Sequence, residues 1–140
     1  MDWLALPIGA FIAAAAAFHV YWGLGGQIGW RVAVPQREDG TPLFMPSRLV
    51  TLLVAMILIA ILGVLGAYVL HWDWPVPRAI LRWVMAVLAL VFLARGLSWH
   101  PYVGLLKRIR NTAFARNDTR FYSPGCVLTG LGFLALAWQG

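Results

Sequence analysis

Charged residues are scarce in this sequence, and their scarcity excludes an ordinary soluble domain. Only 11% of the 140 residues are charged, whereas soluble domains carry about 25%. A single cysteine, Cys126, leaves no partner for an intrachain disulfide. The signatures Gly-x-Ser-x-Gly, His-Glu-x-x-His, Gly-x-x-x-x-Gly-Lys-Ser/Thr and Cys-x-x-Cys-His are all missing. The chain therefore carries no recognisable hydrolase, phosphate-binding or c-type haem motif.

Long apolar runs are abundant instead, and they predict membrane-spanning helices. Between Arg48 and His71 the only ionisable group is the hydroxyl of Tyr68. A helix needs about 20 apolar residues to cross a hydrocarbon core about 30 Å thick, and this run has no polar face. Further runs extend the prediction to spans at about 4–22, 48–72, 78–97 and 122–138. We expect residues 1–140 to form a single all-α membrane domain with four antiparallel transmembrane helices.

The loop before the last span predicts one short amphipathic helix on the membrane surface. Its apolar residues recur at roughly helical spacing: Val103, Leu106, Ile109, Ala113 and Phe114. Its basic side comprises Lys107, Arg108, Arg110 and Arg116. Such a helix is suited to the surface of an anionic leaflet. Ser123 and Pro124 then predict the N-cap and first turn of the last span.

The distribution of lysine and arginine predicts the orientation in the membrane. The side that holds both long loops has nine of these residues, and the other side has two, Arg78 and Arg82. The positive-inside rule places the long basic loops in the cytoplasm and both termini outside. The same loops account for the net charge of +6 without a nucleic-acid partner. The N-terminus lacks the basic region of a secretory signal, so the first apolar run is expected to remain as a span.

Polar side chains are expected to meet at the cytoplasmic end of the bundle. Ionisable groups at membrane depth usually face the bundle interior and have a partner. Arg95 and Asp118 form the natural ion pair, which serves either as a structural clamp or as part of an anion site. His19 either bonds a backbone carbonyl or Tyr122, or takes part in ligand binding or proton transfer. The candidate ligand-binding residues are His19, Trp22, Arg95, Asp118 and Tyr122.

A b-type haem held by two histidines is an alternative for the same end. His19 and His100 both lie toward the inner side of the membrane in the predicted topology. His100, however, is followed by Pro101 and is expected to lie outside the helix. No pair of residues has the spacing of metal ligands, so no metal site is expected.

Two motifs resemble those of a known family. They are His-Val-Tyr-Trp-Gly-Leu-Gly-Gly at 19–26 and Phe-Ala-Arg-Asn-Asp-Thr-Arg-Phe-Tyr-Ser-Pro at 114–124. Together they resemble a family of small bacterial four-span membrane proteins that is described only as a domain of unknown function. The resemblance covers most of the chain and implies the four-span fold and a bacterial inner membrane. It implies no activity.

Three functional hypotheses follow from these observations. The first is a non-catalytic membrane module that binds a lipid-soluble or amphiphilic ligand, or a membrane protein partner, at its polar cytoplasmic end. The second is a small intramembrane enzyme for acid–base chemistry on an isoprenoid, quinone or lipid. Asp118, His19 and Tyr122 would then be catalytic, and Arg95 would stabilise developing negative charge. The third is a small transporter, which with four spans would need to form a dimer.

Overall fold

The computed structural model describes residues 2–139, and four long helices account for most of them. Each is long and apolar enough to cross a membrane. They are α1 (Ala5–Gly23), α3 (Arg48–Val69), α4 (Arg78–Gly96) and a final helix over Ala113–Gln139. A short helix, α2 (Trp30–Ala33), lies in the first long loop. The prediction of an all-α, multi-pass membrane protein is confirmed.

The final helix begins much earlier than the sequence suggested. It consists of α5 (Ala113–Asn117), a π-helical segment (Asp118–Tyr122) and α6 (Ser123–Gln139). Its N-cap is Thr112, whose hydroxyl accepts a hydrogen bond from the Ala115 N–H at 3.0 Å. The prediction that Ser123 caps this helix is wrong. Pro124 is accommodated within the helix because the wider π turn before it relieves the clash between the proline ring and the preceding turn.

The helices form an antiparallel bundle made of two closely packed pairs. The helix α1 packs mainly on α3, and α4 packs mainly on α6, while α1 also contacts α6. In the shared core, Ile8 and Leu81 lie near the starts of their helices, whereas Tyr68 and Leu136 lie near the ends of theirs. The start of α1, the end of α6 and the turn between α3 and α4 therefore lie at one end, here called the terminal end. The two long loops lie at the other, here called the loop end.

Close backbone approach holds the α4–α6 pair together. A Cβ built on Gly130 of α6 would lie 2.9 Å from the backbone nitrogen of Leu93 in α4. Only glycine leaves space for this approach, as small residues do at many membrane helix interfaces. The helices α3 and α4 share far fewer contacts, although a short turn joins them. Proximity along the chain therefore does not decide which helices pack together here.

The predicted amphipathic helix between the third and fourth spans does not form. Residues 98–112 have no helix and fold back as a compact loop against the end of α4, with the Leu105 N–H donating to the Gly96 carbonyl at 2.8 Å. Gly104 interrupts any right-handed helix because its φ is +99°. Of the periodic apolar residues, Val103, Leu106 and Ile109 lie in this loop, and only Ala113 and Phe114 belong to a helix, α5.

Candidate functional site

A buried carboxylate, Asp118, is the centre of a polar cluster at the loop end. Its side chain is fully buried in the π segment. One oxygen, Oδ1, accepts a hydrogen bond from Arg95 Nη2 at 2.8 Å, which confirms the predicted ion pair. The other, Oδ2, accepts from the Gly104 backbone N–H at 3.0 Å and lies 3.1 Å from Lys107 Nζ. Both oxygens are therefore occupied by donors, two of which are charged.

Lys107 supplies the second cation of this cluster, and its predicted role at the membrane surface is wrong. Its residue exposure is 1%. The ammonium has three donors, and each has an acceptor: Asp118 Oδ2, the Gly104 carbonyl at 3.1 Å and Thr119 Oγ1 at 2.6 Å. A buried ammonium is tolerated only with such partners. Lys107 lies inside because it pairs with the carboxylate of Asp118, and the spacing of the residues around Lys107 does not reveal this pairing.

Gly104 makes this arrangement possible through its backbone. A Cβ at this position would collide with the carbonyl oxygen of Ser98, and the positive φ already disfavours any other residue. The resulting turn directs both its N–H toward Asp118 and its carbonyl toward Lys107. The loop is thus shaped around the ion pairs.

The π segment explains how Arg95 reaches two residues of the final helix. Its Nη2 bonds Asp118, and its Nη1 donates to Ser123 Oγ at 3.3 Å. In a regular α-helix, residues five apart are rotated by about 140° and face different directions. The wider π turn brings such residues closer to one face. Arg95 itself is only partly buried, with a side-chain exposure of 34%.

His19 and Trp22 lie at a different place from this cluster. They line a pocket of about 210 Å³ between α1, α3 and the first long loop. His19 Nδ1 lies 2.7 Å from the Ala15 carbonyl, and its ring contacts Trp22 edge-on at 5.3 Å between centroids. A carbonyl can only accept, so Nδ1 carries the proton, and a neutral ring presents Nε2 as an acceptor. The expectation that His19 bonds a backbone carbonyl is confirmed.

Tyr122 joins the final helix to the first long loop. Its hydroxyl donates to the Val32 carbonyl at 3.2 Å, and its ring packs on Phe114 at 5.9 Å between centroids. Gln36 forms a second link, because its side-chain oxygen accepts from the Phe114 N–H at 3.0 Å. The alternative in which His19 bonds Tyr122 does not occur, because Tyr122 bonds the first loop instead. Gln36 was missed, since no pattern in its neighbourhood distinguishes it from a solvated loop residue.

His100 does not complete a haem site with His19. It lies in the loop after α4, is exposed, and accepts a hydrogen bond from the Tyr102 N–H through Nδ1 at 3.3 Å. The pocket of His19 includes no other histidine. Among residues 2–139, moreover, no group of three or more His, Cys, Asp or Glu side chains is placed to hold a metal ion.

The remaining basic residues of the predicted membrane surface stay outside the buried cluster. Arg108, Arg110 and Arg116 are exposed. Two of them bond backbone carbonyls, with Arg110 Nη2 donating to Leu105 at 2.9 Å and Arg116 Nη1 to Asn111 at 3.1 Å. These three arginines form an exposed basic surface at the loop end, although the predicted helix is absent.

The polar groups thus separate into two sites with different chemistry. Around Asp118, one carboxylate and two cations form a network in which each carboxylate oxygen accepts from at least one donor. Asp118 cannot act as a general base without leaving these partners. Around His19, an imidazole faces an aromatic pocket that has space for a bound group.

Comparison with known proteins agrees with the resemblance in the two motifs. Neither the search of curated proteins nor the search of solved structures finds a match. The model of one family, described as a protein of unknown function (DUF3995), matches residues 12–133. The match covers most of the chain and includes both motifs, and the chain therefore belongs to the DUF3995 family.

Proposed function

We propose that this protein is a non-catalytic membrane module that binds a lipid-soluble ligand in the pocket beside His19. The observation that carries the proposal is the composition of this pocket, which combines one imidazole with the aromatic side chains of Trp22, Trp30 and Phe44. Ligand pockets typically combine an apolar lining with a few polar groups that fix orientation. The pocket lies at the loop end, beside the first of the two motifs.

The size of the pocket limits the ligand to one that inserts a single ring or a short branched group. A cavity of about 150 Å³ holds benzene, so about 210 Å³ accommodates one substituted ring. Typical pockets for whole drug-sized ligands are larger, about 300–1,000 Å³. A longer apolar tail would therefore extend from the pocket into the bilayer. Because Nδ1 of His19 bonds the Ala15 carbonyl, Nε2 is left to accept a hydrogen bond, which favours a ligand group that carries a hydroxyl.

A quinol or an isoprenoid alcohol has the required chemistry. The acid–base alternative is less well supported, because Asp118 is occupied by Arg95 and Lys107. The cluster around Asp118 acts in this proposal as a clamp between the second long loop and the final helix. The other non-catalytic possibility is that the loop end binds a membrane protein partner. That role would not use the pocket.

The test is ligand retention after purification in mild detergent. An absorption spectrum and lipid mass spectrometry on one sample would detect a co-purifying quinone or isoprenoid, and decylubiquinol and farnesol serve as added probes. Ala33→Leu fills the pocket, whereas Ala17→Leu adds the same volume on an exposed face of α1. We expect Ala33→Leu and His19→Gln to lose the ligand and Ala17→Leu to keep it. Equal ligand retention in all three variants would exclude the pocket as a site. So would a thermal unfolding temperature that neither probe raises in any of the proteins.

The proposed orientation places the loop end on the cytoplasmic side of a bacterial inner membrane. It rests on the excess of lysine and arginine in the long loops. Alkaline phosphatase fused after residue 139 is expected to be active in the periplasm, and green fluorescent protein at the same position to be dark after export. The opposite pair of results would reverse the orientation and place the pocket on the outer side.

A further inference from the structure

A second cleft lies at the terminal end, opposite to the proposed ligand pocket. It lies between the start of α4 and the end of α6 and has a volume of about 620 Å³. Two arginines of α4, Arg78 and Arg82, line it one helical turn apart. No carboxylate lines this cleft, so it has a net positive charge.

The two arginines differ in how well the protein satisfies them. Arg78 Nη1 donates to the Tyr68 carbonyl at 3.1 Å, and its guanidinium lies 4.5 Å from the centre of the Tyr68 ring. Arg82 is exposed, and among the side chains that the structure describes it has no hydrogen-bond or ion-pair partner. Within residues 2–139 they are the two lysine or arginine residues of the terminal end. Arg78 is held by its two contacts with Tyr68, whereas the guanidinium of Arg82 remains available to an external anion.

The rest of the cleft is apolar and suited to a hydrocarbon chain. Its floor is made of small and aliphatic side chains: Ala79, Ala86, Leu134 and Ala137. Trp83 and Trp138 line the same cleft and are exposed by 74% and 84%. Tryptophans with such exposure are enriched where a helix crosses from hydrocarbon to headgroups. Arg82 therefore lies at headgroup depth above an apolar floor.

We propose that this cleft binds one anionic phospholipid of the phosphatidylglycerol class. Arg82 binds the phosphate, Arg78 adds positive charge, and one acyl chain lies along the alanines between α4 and α6. Guanidinium groups match phosphate geometry through paired N–H donors. A second copy of the chain is a poorer occupant, because a two-fold interface through this cleft would bring like-charged arginines together. This site is separate from the pocket of His19 and does not depend on it.

Native mass spectrometry of the detergent-purified protein tests the proposal. Phosphatidylglycerol and phosphatidylcholine with identical acyl chains are titrated in parallel. Loss of one charge-assisted hydrogen bond changes affinity by about tenfold, so Arg82→Gln should weaken phosphatidylglycerol binding by about this factor. Arg31→Gln removes another exposed arginine, from α2 at the loop end, and should leave binding unchanged.

A second variant separates a built cleft from charge attraction alone. Ala86→Leu narrows the apolar floor without changing any charge, and it should also weaken binding while the thermal unfolding temperature stays close to that of the wild type. Equal losses in Arg82→Gln and Arg31→Gln, or no preference over phosphatidylcholine, would overturn the proposal. So would unchanged binding in Ala86→Leu, or a dimer that Arg82→Gln converts to a monomer regardless of lipid.

Discussion

Asp118→Asn is expected to destabilise the protein strongly, because it leaves a charged ammonium buried without a counter-ion. Asparagine has almost the same shape, so the substitution mainly removes charge. Lys107 has a residue exposure of 1% and lies 3.1 Å from the carboxylate. Breaking a buried ion pair from one side costs about 3–5 kcal/mol. Total stabilities are about 5–15 kcal/mol, so this single change would remove a large share. Arg95 contributes less to the loss, because its side chain is partly exposed to water.

A second substitution should restore part of that stability. Lys107→Met removes the ammonium that Asp118→Asn leaves without a counter-ion, and we expect it to regain about 2 kcal/mol in that background. In the wild type the same substitution should instead cost about 1–3 kcal/mol, since Asp118, Thr119 and the Gly104 carbonyl each lose a donor while Asp118 keeps Arg95. The effect of Lys107→Met therefore changes sign between the two backgrounds. This sign change is the signature of direct coupling.

The measurement is reversible unfolding by sodium dodecyl sulfate in mixed micelles, followed by circular dichroism at the helical band. Asp39→Asn is the matched control, because Asp39 lies exposed in the first loop and bonds only Thr41. It should leave the unfolding midpoint unchanged. The reasoning is refuted if Asp118→Asn behaves like Asp39→Asn. It is also refuted if Lys107→Met lowers stability equally in both backgrounds.

Three further perturbations test other contacts of the loop end. Gly104→Ala should destabilise the protein more than Gly40→Ala. Both positions have a positive φ, which costs any other residue about 1–2 kcal/mol, but an added Cβ meets backbone atoms at Gly104 and open space at Gly40. Thermal unfolding measures the difference, and equal losses of stability would contradict the role of the collision. Tyr122→Phe removes the bond to the Val32 carbonyl and should cost about 1 kcal/mol while making the first long loop more sensitive to trypsin, and an unchanged cleavage rate would argue against that link. Cys126 is buried and should react with maleimide much more slowly in the folded protein than in sodium dodecyl sulfate; similar rates would contradict the helix packing around it.

The three earlier spans could be predicted because lipid imposes strict requirements on the chain. Backbone groups cannot be left unpaired in hydrocarbon, so an apolar run of about 20 residues has to be helical. The expected spans 48–72 and 78–97 accordingly agree closely with Arg48–Val69 and Arg78–Gly96. The start of the final helix was missed because Ser123 and Pro124 resemble a helix start, and their tolerance inside a helix depends on a π turn that has no sequence signature.

Within the candidate site, the ion pair was predictable and its third member was not. Ionisable side chains at membrane depth need partners of opposite charge, and this reasoning paired Arg95 with Asp118. Lys107 stands among other basic residues, where periodicity indicates a solvated face. Only the turn at Gly104 shows that it points inward. The separation of His19 from Asp118 likewise depends on which helices pack together, and α1 packs chiefly on α3.

The π segment has a consequence for how the chain tolerates changes in length. A π turn holds one more residue than the α-turn that would otherwise fill the same space. Deleting one residue between 118 and 122 would therefore give a regular α-helix of sound composition. The orientation of α5 relative to α6 would then change little, because four residues of an α-helix complete about the same turn as the five residues of the π segment. Asp118 and Ser123 would lie four residues apart and still share one face, so the contacts of Arg95 with both residues would survive the loss of Arg120 or Phe121.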